Sequence, residues 1–315
     1  MPPMATSKSK NGEVTSQLID YYDEKSKGEN IGLIITEHQY VSKDGIAAHG
    51  QMSISRDADV AGLKEITEVI HKNGSKVIAQ INHAGSSASP DVTGSEPISA
   101  SAVVNVGSSA KTGFIPREMS HGDILRVVKA FADAAKRAKE SGFDGVEIHS
   151  AHAYLLNQFY SPLGNKRLDE YGGTIDGRIR IHLEIIRAIR EAVGDNFLLA
   201  LRLGACDYME GGSTIEDGVY ASKKFQEAGI DLLDISGGYN GYIRKDKKEP
   251  GWFADASLAI KKEVTIPVIL TGGVTDAKDA EHLLKEGKAD FIGIGRAILQ
   301  EPGWAEKAMK INGEV

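Results

Sequence analysis

The chain has 315 residues and a formal net charge of -7, from 37 basic and 44 acidic side chains. This acidic balance excludes the electrostatic attraction that supplies most nucleic-acid affinity, and the single cysteine, Cys206, excludes a disulfide framework or a four-cysteine metal site within the chain. Because no apolar stretch approaches the roughly 20 residues of a membrane span and no signal pattern opens the chain, we expect a cytoplasmic protein without nucleic-acid or membrane partners.

The start of the chain predicts a truncated strand followed by a helix. Residues Met1 to Met4 are too few for a complete strand, and they precede a helical pattern from Thr15 to Lys27. The first continuous apolar run, Gly32 to Thr36, comes only after this helix. We therefore expect the opening strand of the fold to be cut short at Met1.

Three later segments repeat one pattern, in which the end of an amphipathic helix is followed by a glycine, an aspartate and an apolar strand. They are Ala135 to His149, Ser222 to Ser236 and His282 to Gly295. A glycine is the expected residue just past a helix, and a continuous apolar run is typical of a strand covered on both faces. Each segment therefore predicts a helix–strand unit of a parallel sheet.

Other apolar runs, each followed by a helical pattern, bring the predicted strands to seven. They are Gly32 to Thr36, Lys76 to Ile81, Phe197 to Leu203 and Pro267 to Leu270. With the truncated strand at the front, the pattern predicts an α/β fold, a (β/α)₈ TIM barrel forming one domain over residues 1–315. A doubly wound sheet is the alternative, but it normally carries a G-x-G-x-x-G turn after its first strand, and none is present there.

One long irregular stretch, Gly85 to Ser120, interrupts this alternation. It is rich in Ser, Ala, Gly and Pro. Insertions of this length either cover a site or form a mobile surface loop, and the sequence does not decide between the two.

The segment Glu147 to Tyr154, read as E-I-H-S-A-H-A-Y, places two imidazoles and a phenol at the end of a predicted strand. His149 and His152 are three residues apart, so a regular strand would put them on opposite faces. They converge only if the chain turns out of the sheet near Ser150. Since barrel enzymes assemble their sites after the strands, this turn predicts an active-site loop.

Two other classes of enzyme would need particular residues at the predicted strand ends. No lysine lies among these ends, which argues against a Schiff-base aldolase. A metal-dependent barrel hydrolase stays as an alternative, because Glu37, Glu147, His149 and Asp234 could supply ligands. The chain has no H-x-H pair or H-E-x-x-H helix, and only Glu147 and His149 share a strand face, so no metal site is predicted.

Glycines at the last two strands indicate a phosphate site. Gly272 and Gly273 follow the seventh strand, while Gly295 and Arg296 follow the eighth. Barrels commonly bind phosphate there through backbone N–H groups, and Arg296 adds a cation. The alternative is that these glycines only make tight turns.

Two further polar residues end predicted strands. An inward guanidinium at Arg202 would be costly without an anionic or electron-rich partner, which a neighbouring acid or a ligand could provide. Gln80 offers both a donor and an acceptor, which suits an amide-like ring edge but could equally satisfy a backbone group.

Together these motifs resemble the old yellow enzyme family of FMN-dependent NAD(P)H:flavin oxidoreductases, over Pro2 to about Lys307. The most specific stretch runs from Glu147 to Phe159 and continues from Ser161 to Gly173. Further matches are Gln80 to Gly85, Pro116 to Ser120, Arg202, and Gly295 to Leu299 with Pro302 and Trp304 after them.

The resemblance implies FMN across the barrel mouth, reduced by NADH or NADPH and reoxidised when flavin N5 passes hydride to an electrophilic alkene. It implies that His149 and His152 donate hydrogen bonds to the substrate oxygen and that Tyr154 protonates the substrate. It implies cofactor contacts from these residues: Pro2, Pro3, Met4, Ala5, His38, Gln80, Arg202, Gly272, Gly273, Gly295 and Arg296. We read Arg167, Asp169, Glu170 and Tyr171 as a scaffold for the catalytic loop.

The chain departs from the family pattern at several points. Ala5 stands where the family often has Cys or Thr, and His38 stands where it often has a small residue. The sequence stops at Val315 without the cysteine cluster of larger relatives, so electrons are expected directly from a nicotinamide. A non-catalytic flavin-binding remnant is a further alternative because of the truncated strand, and a homo-oligomer stays open.

Overall fold

The computed structural model describes residues 1–110 and 115–312, which build a curled parallel sheet surrounded by helices. The strands, in chain order, are β1 (Leu33–Tyr40), β2 (Lys76–Asn82), β3 (Ile98–Ser99), β4 (Arg117–Glu118), β5 (Gly145–Ser150), β6 (Leu198–Cys206), β7 (Leu232–Gly237), β8 (Val268–Thr271) and β9 (Phe291–Gly293). The short β3 and β4 pair with each other, and the other seven strands form the main sheet.

Sheet order confirms the predicted barrel topology. The seven main strands lie in the order β1-β2-β5-β6-β7-β8-β9, which is also their order along the chain, and every neighbouring pair is parallel. Parallel neighbours require a crossover between them, and helices provide it here. All the strand ends that the sequence predicted to be chemically important therefore lie at one end of the sheet.

Helices lie before, between and after the strands of the sheet. They are α1 (Ser16–Ser26), α2 (Asp59–Lys72), α3 (Pro90–Thr93), α4 (His121–Glu140), α5 (Leu155–Tyr160), α6 (Ile175–Val193), α7 (Ile215–Ala228), α8 (Ala254–Lys261), α9 (Ala277–Lys285), α10 (Arg296–Gln300) and α11 (Trp304–Asn312). No helix within the described ranges is both long enough and apolar enough to cross a membrane.

The place before β1 in the sheet is held by the first residues of the chain. The Met1 amino group donates to the Leu33 carbonyl at 2.7 Å, and the Ile35 N–H donates to the Met1 carbonyl at 2.9 Å. On the other side, Pro2 and Met4 pack against Gly295, just past β9. In this structure a few residues thus take the position of the predicted shortened strand.

The interior of the curled sheet is layered. Its lower layer is apolar and buried, formed by Ile35, Ile78, Ala200, Leu232 and Ile269. Because strand side chains alternate between faces, the inward residue two positions further along each strand lies one layer closer to the mouth. On β2, β5, β6, β7 and β8 that residue is polar: Gln80, Glu147, Arg202, Asp234 and Thr271. The interior of the sheet therefore has an apolar layer of side chains, with a polar layer next to it on the side of the mouth.

The residues around Arg167, predicted as a scaffold for the catalytic loop, lie in the segment after α5 and bind other parts of the chain. Its buried guanidinium pairs with Asp169 at 2.5 Å and donates to the carbonyls of Ala100 and Met119. The Tyr171 hydroxyl donates a hydrogen bond to the Glu184 carboxylate at 3.1 Å, whereas Glu170 is exposed. The scaffold therefore ties this segment to the insertion that follows β2.

The N-terminus of α4 offers a test of local stability. Ser120 Oγ accepts a hydrogen bond from the Asp123 N–H at 3.2 Å, and Asp123 Oδ2 accepts one from the Ser120 N–H at 2.9 Å. We expect Ser120→Ala to lower the free energy of unfolding by about 1 kcal/mol, because it leaves a helix N–H without its partner. Urea denaturation measures this, and the exposed Ser95→Ala serves as control; equal losses in both variants would contradict the capping argument.

Candidate active site

The end of β5 turns out of the sheet as the spacing of the histidines required. The strand ends at Ser150, and both His152 and Ala153 adopt φ = 59°, in the left-handed region that residues with a Cβ rarely enter. This turn brings the rings of His149 and His152 to a centroid distance of 5.1 Å. The Tyr154 ring also lies 5.1 Å from His149. Two imidazoles and a phenol thus converge over the barrel mouth.

These rings line a cavity of about 520 Å³ at the carboxyl end of the sheet. Every site residue predicted from the sequence contributes to its wall. The same wall also includes Pro2, Pro3, Met4, Ala5, His38, Gln80, Arg202, Gly272, Gly273, Gly295 and Arg296. The structure therefore collects in one cavity residues that span almost the whole sequence.

A larger cavity of about 670 Å³ lies between β9 and β1. Its wall is mostly apolar and includes Leu33, Ile269, Phe291 and Trp304. It brings together no cluster of polar groups comparable to the histidine cavity, so we place the candidate chemistry at the mouth.

Beneath the mouth, the polar layer is hydrogen-bonded within itself. Gln80 Nε2 donates to Glu147 Oε1 at 2.8 Å, and Thr271 Oγ1 donates to Asp234 Oδ1 at 2.7 Å. Arg202 Nε lies 3.3 Å from Asp234 Oδ2. Burial raises the pKa of both carboxyl groups, and the neighbouring Asp234 raises that of Glu147 further, while Arg202 opposes the shift. The layer thus holds one guanidinium beside two acids that resist ionisation.

Of the two kinds of partner considered from the sequence for Arg202, the structure shows the neighbouring acid. Arg202 Nε lies 3.3 Å from Asp234 Oδ2 but makes no hydrogen bond to any described residue, and the side chain also lines the cavity. Buried cationic groups normally make all their hydrogen bonds. The guanidinium therefore suits an additional electron-rich partner at the mouth.

Both loop imidazoles are held neutral. Burial lowers the pKa of His149 and of His152 well below the usual value near 6.5, and the positive charge of Arg202 lowers both further. His152 Nε2 lies 2.8 Å from Ser236 Oγ, while His149 Nδ1 is buried and has no hydrogen-bond partner in the described part of the chain. Each neutral ring carries one N–H, so the pair can donate hydrogen bonds without acting as a cation.

His38 adds a third imidazole to the same wall. Gln51 Nε2 lies 2.9 Å from its Nδ1, and because an amide NH₂ can only donate, this contact assigns the ring proton to Nε2. Burial and the charge of Arg202 lower the pKa of His38 to about 4. Its ring centroid lies 5.5 Å from that of Tyr154. His38 thereby narrows the mouth beside the phenol.

Tyr154 is held in its protonated form. Burial, reinforced by the neighbouring Tyr242, raises its pKa to about 12. The phenol therefore keeps its proton throughout the neutral range, as a general acid must.

The glycines at the other side of the mouth have conformations that a side chain would disturb. Gly272 and Gly273 have φ of 155° and 74°, and a Cβ on Gly273 would lie 2.6 Å from the Trp252 ring. The exposed guanidinium of Arg296 lies 4.6 Å from the centroid of that ring. Backbone N–H groups and a cation thus share this edge of the cavity, which suits a phosphate.

Several cavity residues were missed from the sequence. Ser108 and Ser109 come from the Gly85 to Ser120 insertion, and Tyr242 comes from the loop between β7 and α8. The described part of the insertion therefore covers the site, although residues 111–114 lie outside the described residues. The Y-N-G-Y motif that ends at Tyr242 was a usable signal, since it directly follows the glycines after β7.

The donor set of the cavity fits FMN. Arg202 and Gln80 offer donors where a flavin ring has carbonyls, and the Gly272, Gly273 and Arg296 edge offers donors for a phosphate. The observation that supports this fit is the buried Arg202 Nε, which lies 3.3 Å from Asp234 Oδ2 but makes no hydrogen bond to any residue that the structure describes. Among the described residues, no group of three or more His, Cys, Asp or Glu side chains could hold a metal ion.

Comparison with protein families gives a match along nearly the whole chain. The model of the NADH:flavin oxidoreductase / NADH oxidase family matches residues 1–312. The NADH oxidase of Thermoanaerobacter brockii is 40% identical over 315 residues, covering 98% of this chain and 48% of that protein. The NADPH dehydrogenase of Geobacillus sp. (strain WCH70) is 37% identical over 300 residues, covering 95% and 85%. A relative described as a metal reductase, from Desulforamulus reducens, is 36% identical over 98% of this chain and 46% of its own length, so the chain spans about half the length of two of these relatives.

Solved structures show the same fold. A 2-naphthoyl-CoA reductase complex superposes with a TM-score of 0.90 at 27% identity, covering 98% of this chain and 50% of that one. An old yellow enzyme homologue from Zymomonas mobilis gives 0.85 at 26% identity, covering 99% and 88%. A morphinone reductase variant bound to tetrahydroNAD gives 0.84 at 26% identity, covering 98% and 86%.

The depressed histidine pKa values give a test by titration. Because the neutral ring is favoured in the folded protein, we expect neither His149 nor His152 to gain a proton as the pH falls from 8 to about 6. ¹⁵N NMR of the imidazole nitrogens measures this, with His149→Gln and His152→Gln used to assign the signals. A titration of either ring with a midpoint near its ordinary value of about 6.5 would contradict the burial argument.

Proposed function

Because the chain belongs to the NADH:flavin oxidoreductase / NADH oxidase family, we propose that it is an FMN-dependent NAD(P)H oxidoreductase acting on activated C=C bonds. The substrates are α,β-unsaturated carbonyl or nitro compounds. We further propose that residues 1–315 act as one FMN-binding domain. The observation that carries this proposal is the convergence of His149, His152 and Tyr154 with Arg202 in one cavity.

The residues of the mouth hold the cofactor in two groups. Gln80 and Arg202 bind the polar edge of the flavin ring, while Pro2, Pro3, Met4, Ala5 and His38 line its surroundings. Gly272, Gly273, Gly295 and Arg296 bind the phosphate. When bound, FMN would supply the hydride chemistry that links NADH or NADPH to the alkene. A fixed cation at Arg202 favours the negative charge that flavin reduction builds up.

The imidazole pair binds the substrate oxygen. Negative charge develops on a carbonyl or nitro oxygen as the neighbouring alkene accepts hydride, and neutral N–H donors at His149 and His152 stabilise it there. A single preorganised donor of this kind is worth about 3 kcal/mol. The left-handed turn at His152 places its ring at a centroid distance of 5.1 Å from that of His149, which supports a shared role for the two rings.

Tyr154 supplies the proton that completes the reduction. Its hydroxyl proton passes to the substrate α-carbon after hydride has reached the β-carbon. With a pKa raised to about 12, the phenol is protonated at every pH where the protein is expected to work.

Two alternatives make different demands on the chain. A metal-dependent hydrolase needs a set of ligands, and the described residues bring no such set together. A non-catalytic flavin-binding remnant needs only the cofactor contacts, so it does not account for two neutral imidazoles and a protonated phenol at the same mouth.

An anaerobic titration of the isolated protein separates these functions. We expect bound FMN to be bleached by NADH or NADPH and its absorbance to return on addition of 2-cyclohexenone. A colourless protein that takes up no FMN would exclude the proposal. Flavin that no nicotinamide can bleach would favour the remnant.

The two histidines are tested together. We expect His149→Ala with His152→Ala to keep bound FMN and its bleaching by nicotinamide, but to lose enone turnover by a factor of at least about 100, since each donor contributes a few kcal/mol to the transition state. Steady-state kinetics with 2-cyclohexenone measure the loss. Unchanged turnover would show that the pair does not bind the substrate oxygen.

Tyr154 is tested by removing one oxygen atom. Tyr154→Phe keeps the ring and its packing but lacks the acidic proton, so we expect kcat for 2-cyclohexenone to fall by a factor of about 100 while the bleaching of FMN by NADPH is unaffected. Stopped-flow absorbance separates the two half-reactions. Equal losses in both would assign Tyr154 to packing.

A further inference from the structure

The catalytic turn adopts a conformation that its own residues disfavour. His152 and Ala153 are consecutive, and each has φ = 59° although neither is glycine. In this region the Cβ lies close to the following carbonyl oxygen, so such residues persist only where the surrounding structure holds them. The hydrogen bonds made to this turn therefore decide where the His152 imidazole lies.

The donors to the two carbonyls of the turn are unequally distributed. The Ala153 carbonyl receives hydrogen bonds from the side-chain amides of Gln158 at 2.7 Å and Asn105 at 3.2 Å. Ser87 Oγ lies 3.1 Å from this carbonyl and 2.8 Å from Ser109 Oγ, so its one proton serves either the carbonyl or Ser109. The His152 carbonyl receives its side-chain hydrogen bond from Ser109, whose Oγ donates at 2.7 Å. Loss of Ser87 therefore leaves Gln158 and Asn105 bonded to the Ala153 carbonyl, whereas loss of Ser109 leaves the His152 carbonyl with no side-chain donor among the described residues.

Ser109 belongs to the insertion between β2 and α4, and neighbouring residues fix that segment on both sides. Asn105 Oδ1 accepts from the Gly107 N–H at 2.8 Å, and Gly107 packs so closely on Ala153 that it has no room for a side chain. The Ser108 N–H donates to the Tyr239 carbonyl at 2.8 Å, in the loop after β7. Ser109 is thus presented to the turn from a segment that is itself anchored.

The His152 imidazole is held at its other end by β7, because Nε2 lies 2.8 Å from Ser236 Oγ. The carbonyl bound by Ser109 and the ring bound by Ser236 belong to the same residue, His152. With both ends bound, the ring has a single orientation toward the cavity.

We propose that Ser109 is a positioning residue, which fixes the left-handed turn through the His152 carbonyl and so aims the imidazole at the substrate oxygen. The catalytic role of His152 in this inference rests on the proposed function. The part of the inference that concerns how Ser109 holds the turn does not. It assigns to the insertion a part in catalysis beyond covering the site.

The first test uses three serine variants with bound FMN. We expect Ser109→Ala to lower kcat for 2-cyclohexenone about tenfold with KM changed less than about twofold, as when an interaction needed in the transition state is lost. In Ser87→Ala the Ala153 carbonyl keeps its donors Gln158 and Asn105, so kcat should fall by less than about twofold. The matched control is Ser257→Ala, since Ser257 Oγ also donates to a carbonyl at 2.7 Å, that of Lys288, away from the mouth.

Ala153→Gly provides the rescue. Glycine adopts the left-handed conformation without the steric cost, so the turn depends less on its hydrogen bonds. We expect Ser109→Ala combined with Ala153→Gly to regain most of the lost kcat. Ser109→Thr, which keeps a hydroxyl donor, should stay within about threefold of the unmodified protein.

A readout independent of turnover is amide hydrogen exchange over residues 150–155. It should become faster in Ser109→Ala and stay unchanged in Ser257→Ala. If the unmodified protein turns over no enone, the proposed function fails while this measurement still decides whether Ser109 holds the turn. Unchanged exchange in Ser109→Ala, an equal kcat loss in Ser257→Ala, or no rescue by Ala153→Gly would overturn the inference.

Discussion

Parallel pairing across β5, β6 and β7 is the constraint on which the site depends. In that register His149 lies opposite Arg202, and Arg202 lies opposite Asp234. Side chains on one row of a sheet are neighbours, so pairing alone places an imidazole, a guanidinium and a carboxyl group side by side. A shift by one residue would turn each of them to the outer face. The hydrogen bonds that build the sheet therefore also build the electrostatics of the mouth.

Charge in the interior is kept low for a physical reason. Each ionised acid beside the apolar layer would lose its hydration, and the resulting rise in the pKa of Glu147 and Asp234 favours their neutral forms. The same burial, with the charge of Arg202, keeps His149 and His152 uncharged. A guanidinium beside neutral imidazole donors suits a reaction that builds negative charge.

The loops outside the barrel strands shape the cavity in front of His149, Arg202 and Asp234. The insertion from Gly85 to Ser120 covers the mouth and holds the turn at His152, and the loop after β7 adds Tyr242 opposite that ring. Such loops carry few elements of regular structure, so their positions follow from contacts such as Ser109 to His152 and not from local propensity. Substrate preference would reside in them.

The sequence by itself determined the order of strands and helices, because apolar runs and helix-ending glycines are local signals, and it determined the tip residues, including His149, Arg202 and Gly273. It also required the chain to leave the sheet after Ser150. Only the tertiary structure decided that Ser109, Tyr242 and Trp252 join the site, that the insertion covers the mouth, and that Arg202 pairs with Asp234. Those contacts join residues tens of positions apart in the sequence. Contacts of this kind leave no periodic pattern in the sequence from which they could be predicted.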